Sequence, residues 1–406
     1  METPGYEGAT QFVSAWQNKR HGQTDFGEEI FSRMRSQEDA GEMPKDVRMD
    51  ICEDVWKAVT EKNAYVKAGV LDAFIPDLMP ESLKYDGAKA VVSLLQLVLD
   101  RNVSCWWDTD PVVQQFKSDF LEAMEEKMWE MGFDHVEITR YPDDPDQLNI
   151  VGYNWGRVNP DEYIVIGGHF DIAYMFTPPG GGTNEGANDD TSGSTVSLEM
   201  AQALAQMEFD HTVVAGLWAC EEEGLLGTRA YVANLPENVS VRAYMNFDMV
   251  ALNYPITPLT EPVIGPAGEI FEPTKYDWSI SVAGASQENM ERMHDWVGTT
   301  IEEDLAYEPT EGNPIYWQIA ESCASDHCSF FQAGYPTFNF FSPGGDISFW
   351  QEWHSPSDTF EFMTAKAGGP DGMASGFNSL VWAALDLFVR VDNAENFHGN
   401  WKESTE

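Results

Sequence analysis

Along the first third of the chain, apolar residues recur at intervals close to 3.6. The run from Asp46 to Trp56 has this spacing, as do Ala88 to Leu99 and Val112 to Met131. Gly41, Pro80 and the stretch from Asp108 to Pro111 interrupt it. Strand patterns are almost absent before residue 135. The spacing therefore predicts an all-helical N-terminal extension of five or six helices over residues 1–105, partly packed on the larger domain.

Beyond about residue 135 the period changes. Short continuous apolar runs alternate with helical stretches. Tyr163 to Gly168, Thr212 to Trp218, Val241 to Phe247, Trp278 to Val282 and Pro336 to Phe341 read as strands. Ser192 to Met207, Leu225 to Leu235, Gln287 to Leu305 and Gly372 to Val391 read as helices. A Pro-rich stretch near residues 251–277 reads as an insertion. Strands that are apolar throughout and alternate with helices predict an α/β fold. The expected sheet is mixed, mostly parallel and twisted, with helices on both faces.

Composition narrows the partners. Among 406 residues, 68 are acidic and 23 basic, for a net charge of −45. Such a surface repels nucleic acid and anionic lipid. It keeps the protein hydrated, and it also suits high salt, where screening weakens self-repulsion. No run of 18 apolar residues occurs, so no membrane span is expected. The start, Met1 to Pro4, has neither a basic nor an apolar leader region, so no signal peptide is expected in the chain as given. That leaves a cytoplasmic protein, or an exported one whose signal lies outside this sequence. Five scattered cysteines make no disulfide framework, although Cys323 and Cys328 are close enough in sequence to pair.

The chemistry lies just after the strands. His169-Phe170-Asp171 follows the first, Glu221-Glu222-Glu223 the second and Asp248 the third. In an open α/β sheet, ligands bind outside the carboxyl ends of the strands. Asn188-Asp189-Asp190 precedes Ser192-Gly193 at the start of a helix, where the helix dipole favours anions. Crowded carboxylates raise one another's pKa unless a cation intervenes. Several acidic side chains with two histidines suit a pair of divalent ions, and zinc accepts both ligand types.

These segments carry a specific resemblance. Gly167-Gly168-His169-Phe170-Asp171, Gly186 to Gly193, Glu221 to Thr228 and Asn246-Phe247-Asp248-Met249 resemble, in order, four motifs of the bacterial double-zinc leucyl aminopeptidases. Ser325-Asp326-His327 and Trp353 to Thr359 resemble two later ones. The likeness covers roughly residues 105 to 392 and implies a zinc exopeptidase domain over residues 106–406.

The resemblance implies two Zn2+ ions per chain. His169 and Asp248 would hold one, Glu222 and His354 the other, and Asp189 would bridge them. Glu221 would be the general base that activates water for attack on a peptide. Asp171 would orient the His169 ring, and Asp190 would be structural. His327, Asp326 and Trp353 are implied near the substrate. The tyrosine that some members place before the Ser-Asp-His motif is absent here, leaving the oxyanion contact unassigned. An aminopeptidase acting on peptides is the activity expected. A metallocarboxypeptidase with Arg229 holding the terminal carboxylate, a glutaminyl cyclase and a non-catalytic binding homologue remain alternatives. The sequence leaves the oligomeric state open.

Overall fold

A computed structural model describes residues 111–141, 144–173, 186–205, 207–251, 263–264, 270–271, 279–284, 286–301, 316–320, 323–341, 354–355, 357–360, 362–363 and 370–397. The expected N-terminal extension over residues 1–105 lies outside them.

Helix α1, Pro111–Met131, comes first. An antiparallel hairpin is next, β1 (His135–Tyr141) and β2 (Asp144–Asn154). Then come β3 (Asn159–His169), helix α2 (Thr191–Leu204) and β4 (His211–Trp218). Helix α3 (Leu226–Ala233) and β5 (Ser240–Asp248) complete the part that carries most of the chemistry. The expected insertion contains a two-residue ladder, β6 (Val263–Ile264) against β7 (Ile270–Phe271). The chain continues through β8 (Ser279–Ala283), helix α4 (Gln287–Thr299) and β9 (Tyr316–Ile319). It closes with helix α5 (His327–Gln332), β10 (Thr337–Phe341) and helix α6 (Pro370–Asn393).

Among the described residues, eight strands form one sheet in the order β1-β2-β4-β3-β5-β10-β8-β9. Strands β4, β3, β5 and β10 pair in parallel and make its centre. Strand β8 runs antiparallel to β10, and β9 parallel to β8. The sheet is mixed and mostly parallel, as expected. The hairpin β1–β2, strand β9 and helix α5 are additions to the elements expected from the sequence.

Alternation along the central strands sends side chains to two separate cores. Ile164 and Ile166 of β3, with Met245 and Phe247 of β5, join the core under α1, α2, α4 and α6. Tyr163, Val165, Val214 and Tyr244 point the other way, onto Tyr231 of α3 and Phe330 of α5. A strand buried on both faces cannot carry a polar side, which is why these segments are apolar throughout. Trp218 and Tyr244 bury polar tips as well as rings. Trp218 Nε1 donates to the Tyr244 hydroxyl at 2.9 Å, and that hydroxyl donates to Asn246 Oδ1 at 2.7 Å. Among the described residues, no helix is long and apolar enough to cross a membrane.

Candidate metal centre

The parallel register sets the first side chains. His169 is level with Trp218 on β4, while Gly167 is level with Asn246 on β5. Two residues further on, Asp248 ends β5 beside His169. Both leave the sheet at its carboxyl edge. The chain after β4 turns there through Glu221 and Glu222, before α3 begins.

Side chains from one loop stitch this edge together. Asp190 caps α2, its Oδ1 accepting from Gly193 N at 2.9 Å and from Met249 N at 3.0 Å. Ser192 Oγ accepts from Val250 N at 2.8 Å, and Asn188 Oδ1 from Ala251 N at 3.0 Å. Three consecutive amides after Asp248 are thus received by the Asp189 loop. The peptide joining Asp189 to Asp190 is cis. Gly193 is required here, because an added Cβ would collide with Phe247 O and the Asp190 carboxylate.

The Asp189 carboxylate is shared. Its Oδ1 lies 3.4 Å from His169 Nε2 and its Oδ2 lies 3.1 Å from His354 Nε2. His354 Nε2 is also 3.1 Å from Glu222 Oε2, and His169 Nε2 is 4.0 Å from Asp248 Oδ1. Ligand atoms of His169, Asp189 and Asp248 lie within 4.8 Å of one another, as do those of Asp189, Glu222 and His354. A third such group joins His169, Glu221 and Glu222. The five residues expected as ligands are therefore brought together, with Glu221 among them.

Donor chemistry fits a pair of zinc ions. Each Asp189-sharing group offers one imidazole and two carboxylates, leaving room for water or substrate. Glu222 Oε1 and Asp248 Oδ1 are buried with no hydrogen-bond partner, which a cation would supply. Electrostatics agree. Burial, then Asp189, push Glu222 up to about 7, against His354. Burial and Asp189 push Asp248 up to about 6, against His169. Burial raises Glu221 well above the usual carboxylate range, and Asp326, Asp248 and Glu222 add to it. Burial would lower His354, but Asp189 and Glu222 raise it to about 10. Burial would also raise Asp189, yet His169 and His354 hold it low.

Asp171 does more than the sequence implies. It lies 3.4 Å from His169 Nδ1, and it also accepts from Glu221 N at 3.0 Å and Glu222 N at 3.1 Å. One carboxylate thus aligns the histidine and the turn that bears Glu221 and Glu222. Asn149 on β2 holds that turn from beneath, accepting from Ala219 N at 3.0 Å and donating to Gly227 O at 2.9 Å. Asp358 accepts from Asn188 N and Asp189 N. The sequence alone assigns no role to Asn149 or Asp358. Asp358 sits in the last of the resembling motifs, whereas Asn149 has no local signal. Cys220, Leu225, Met249 and His354 all have positive φ of 54° to 63°. Non-glycine residues seldom adopt this conformation, and here they flank or form the centre.

A cavity of about 890 Å³ opens over the centre. Asp189, Glu221, Glu222, Asp248, His354 and His327 line it. His327 belongs to none of the three ligand groups, and burial pushes it down to about 4. Asp326, expected near the substrate, is fully buried, accepts from Thr228 Oγ1 at 2.8 Å and adds to the upward push on Glu221. Trp353 lies outside the described residues. Cys323 and Cys328 form a disulfide beside the cavity, and Cys220 is a buried free thiol.

A probable zinc metalloprotease of Pyrenophora tritici-repentis is 29% identical over 256 residues, covering 56% of this chain and 55% of that protein. An aminopeptidase of Pseudomonas aeruginosa is 40% identical over 96 residues, 23% of this chain and 16% of that protein. The chain thus spans about half the length, or less, of these curated relatives. The crystal structure of the Legionella pneumophila LapA aminopeptidase shares the fold, with a TM-score of 0.52 at 18% identity over 76% of this chain and 73% of that one. The model of peptidase family M28 matches residues 149–369, a span that includes every side chain of the candidate centre. That match covers more than half of the sequence, and the chain belongs to peptidase family M28.

Proposed function

We propose that the chain is a zinc-dependent aminopeptidase that releases N-terminal residues from peptides. The observation that carries this reading is the Asp189 carboxylate, with one oxygen toward His169 and the other toward His354. His169 and Asp248 would hold one zinc ion, Glu222 and His354 a second, and Asp189 both. Two bound zinc ions supply Lewis acidity, lowering the pKa of water and polarising a carbonyl.

The protein's own groups do the rest. Glu221 takes a proton from the attacking water as it adds to the carbonyl carbon. The same carboxyl then delivers that proton to the nitrogen as the C–N bond breaks. The backbone bonds from Glu221 and Glu222 to Asp171 keep base and ligand in fixed relation. The free ammonium of the substrate is held by carboxylates that line the cavity, which makes the activity terminal. The relatives described as a zinc metalloprotease and as an aminopeptidase support this reading.

Replacing Glu221 with Ala tests it. Zinc content should persist while hydrolysis of leucyl-anilide falls at least about a hundredfold. Retained activity would remove Glu221 from the mechanism, and zinc-free protein from a chelator-free preparation would remove the metal.

A further inference from the structure

Helix α3 carries a cation that the mechanism does not use. Arg229 lines the same cavity as Asp189, Glu221, Glu222 and Asp248. Among the described lining residues it is the one permanently charged cation. In a chain with 68 acidic and 23 basic residues, an arginine has many carboxylates to choose from. Arg157, Arg242 and Arg390 each pair with one. Arg292 stacks on Trp296 and bonds to Glu395 O. Arg229 has no ion-pair partner among the described residues, and its side chain is exposed. Its place is fixed by the backbone, since Arg229 N bonds to Leu225 O at the start of α3, directly after the turn bearing Glu221 and Glu222.

The cavity thus carries both signs of charge. Four carboxylates line it, and a guanidinium stands on the wall supplied by α3. A guanidinium has a forked set of donors that matches a carboxylate. A substrate that suits both kinds of group carries an ammonium group and a carboxylate.

We propose that Arg229 binds a carboxylate on the leaving-group side of the scissile bond and so determines specificity. This inference rests on the aminopeptidase reading. It assigns as preferred substrates short peptides with a negative charge one residue beyond the cleaved bond. The charge is either the C-terminus of a dipeptide or an acidic side chain directly after the released residue.

The test compares kcat/KM for Leu-Leu, Leu-Leu-amide, Leu-Glu-amide, Leu-Gln-amide, leucyl-anilide and N-acetyl-Leu-Leu, using zinc-loaded wild type, Arg229→Gln and Arg229→Lys. Wild type should favour Leu-Leu over its amide, or Leu-Glu-amide over Leu-Gln-amide, by about tenfold. The first preference identifies the terminal carboxylate as the ligand and the second the side chain. Arg229→Gln should bring the ratio close to one, and Arg229→Lys should restore part of it. Leucyl-anilide cleavage with no carboxylate preference in wild type overturns the role of Arg229 alone. A preference that survives in Arg229→Gln does the same. Cleavage of N-acetyl-Leu-Leu in place of the free-amine substrates, or of none of the six, overturns the aminopeptidase reading and this inference with it.

Discussion

The carboxylate of Asp358 accepts the backbone N–H of Asp189 at 3.0 Å across 169 residues of sequence. Its other oxygen accepts Asn188 N at 2.9 Å. Asp358 stands four residues after His354, and Asp358 N bonds back to Ser355 O. The loop that presents His354 is thereby tied to the loop that presents Asp189, the two side chains that meet at 3.1 Å. Asp358→Ala would leave two buried amides without acceptors, each costing about 1–3 kcal/mol. The expected result is protein that binds one zinc ion more weakly and loses at least about tenfold in kcat, because ligand geometry supports the chemistry. Zinc titration alongside leucyl-anilide kinetics checks this. Wild-type affinity in Asp358→Ala would show that the two loops hold their positions independently.

Asp171 makes a similar link within one edge of the sheet. Its two oxygens receive the amides of Glu221 and Glu222. Asp171→Asn keeps the volume but turns one acceptor into a donor facing an N–H. The variant should fold, retain zinc at saturating concentration and lose roughly 10- to 100-fold in kcat. A kcat equal to wild type would confine Asp171 to a packing role.

Most of the candidate ligands are legible in the sequence because they stand just after a buried strand or just before a helix, whereas His354 is legible only through the resembling motif it sits in. His169, Glu222 and Asp248 lie at or beyond the ends of β3, β4 and β5, where α/β sheets bind ligands. The parallel strands are visible as unbroken apolar runs. Other features have weaker signals. The hairpin β1–β2 lies toward the sheet edge and alternates apolar with polar residues, as at Val136, Glu137 and Ile138, so it lacks a continuous run. Strand β9 has only four residues and helix α5 only six, too few for a period to register. Asp326 is singled out by its Ser325-Asp326-His327 motif, while its hydrogen bond to Thr228 has no signal in the sequence.

Proton competition gives a prediction about pH. Folded and metal-free, Glu222 is raised to about 7 and Asp248 to about 6, chiefly by burial. His354 is raised to about 10, against burial, by Asp189 and Glu222. Each of these groups binds its proton more tightly folded than unfolded. The stability this confers is complete below the unfolded values, about 4 for the carboxyls and about 6.5 for the histidine. It is lost as pH rises through the folded values. The metal-free protein thus weakens from about pH 4 to pH 7 through the two carboxyls, and further toward about pH 10 through His354. A cation takes the place of those protons, so its binding strengthens as pH rises. The increase in Tm on adding zinc should be larger at about pH 7.5 than at about pH 5.5, at equal ionic strength. Scanning fluorimetry at both values decides it, and an equal or smaller increment at the higher pH would contradict the proton count.

Asn149 carries the last prediction. It is fully buried on β2, and its side-chain amide spans the turn from β4 to α3. The oxygen receives Ala219 N and the nitrogen serves Gly227 O, one on each side of Glu221 and Glu222. The turn closes on itself through Gly227 N to Ala219 O and Leu226 N to Cys220 O, and Asn149 satisfies the groups left over, Ala219 N and Gly227 O. Asn149→Ala removes both partners at once and opens a small cavity. The expected cost is roughly 2–4 kcal/mol, seen as a lower urea midpoint. Asn149→Asp keeps the acceptor for Ala219 N but loses the donor to Gly227 O and buries a charge, so it should be no more stable than Asn149→Ala. Activity should fall in both, even after zinc saturation, because the turn that carries base and ligand loses its support. If Asn149→Ala unfolds at the wild-type midpoint, the turn is held by its own backbone bonds and by Asp171, without help from Asn149.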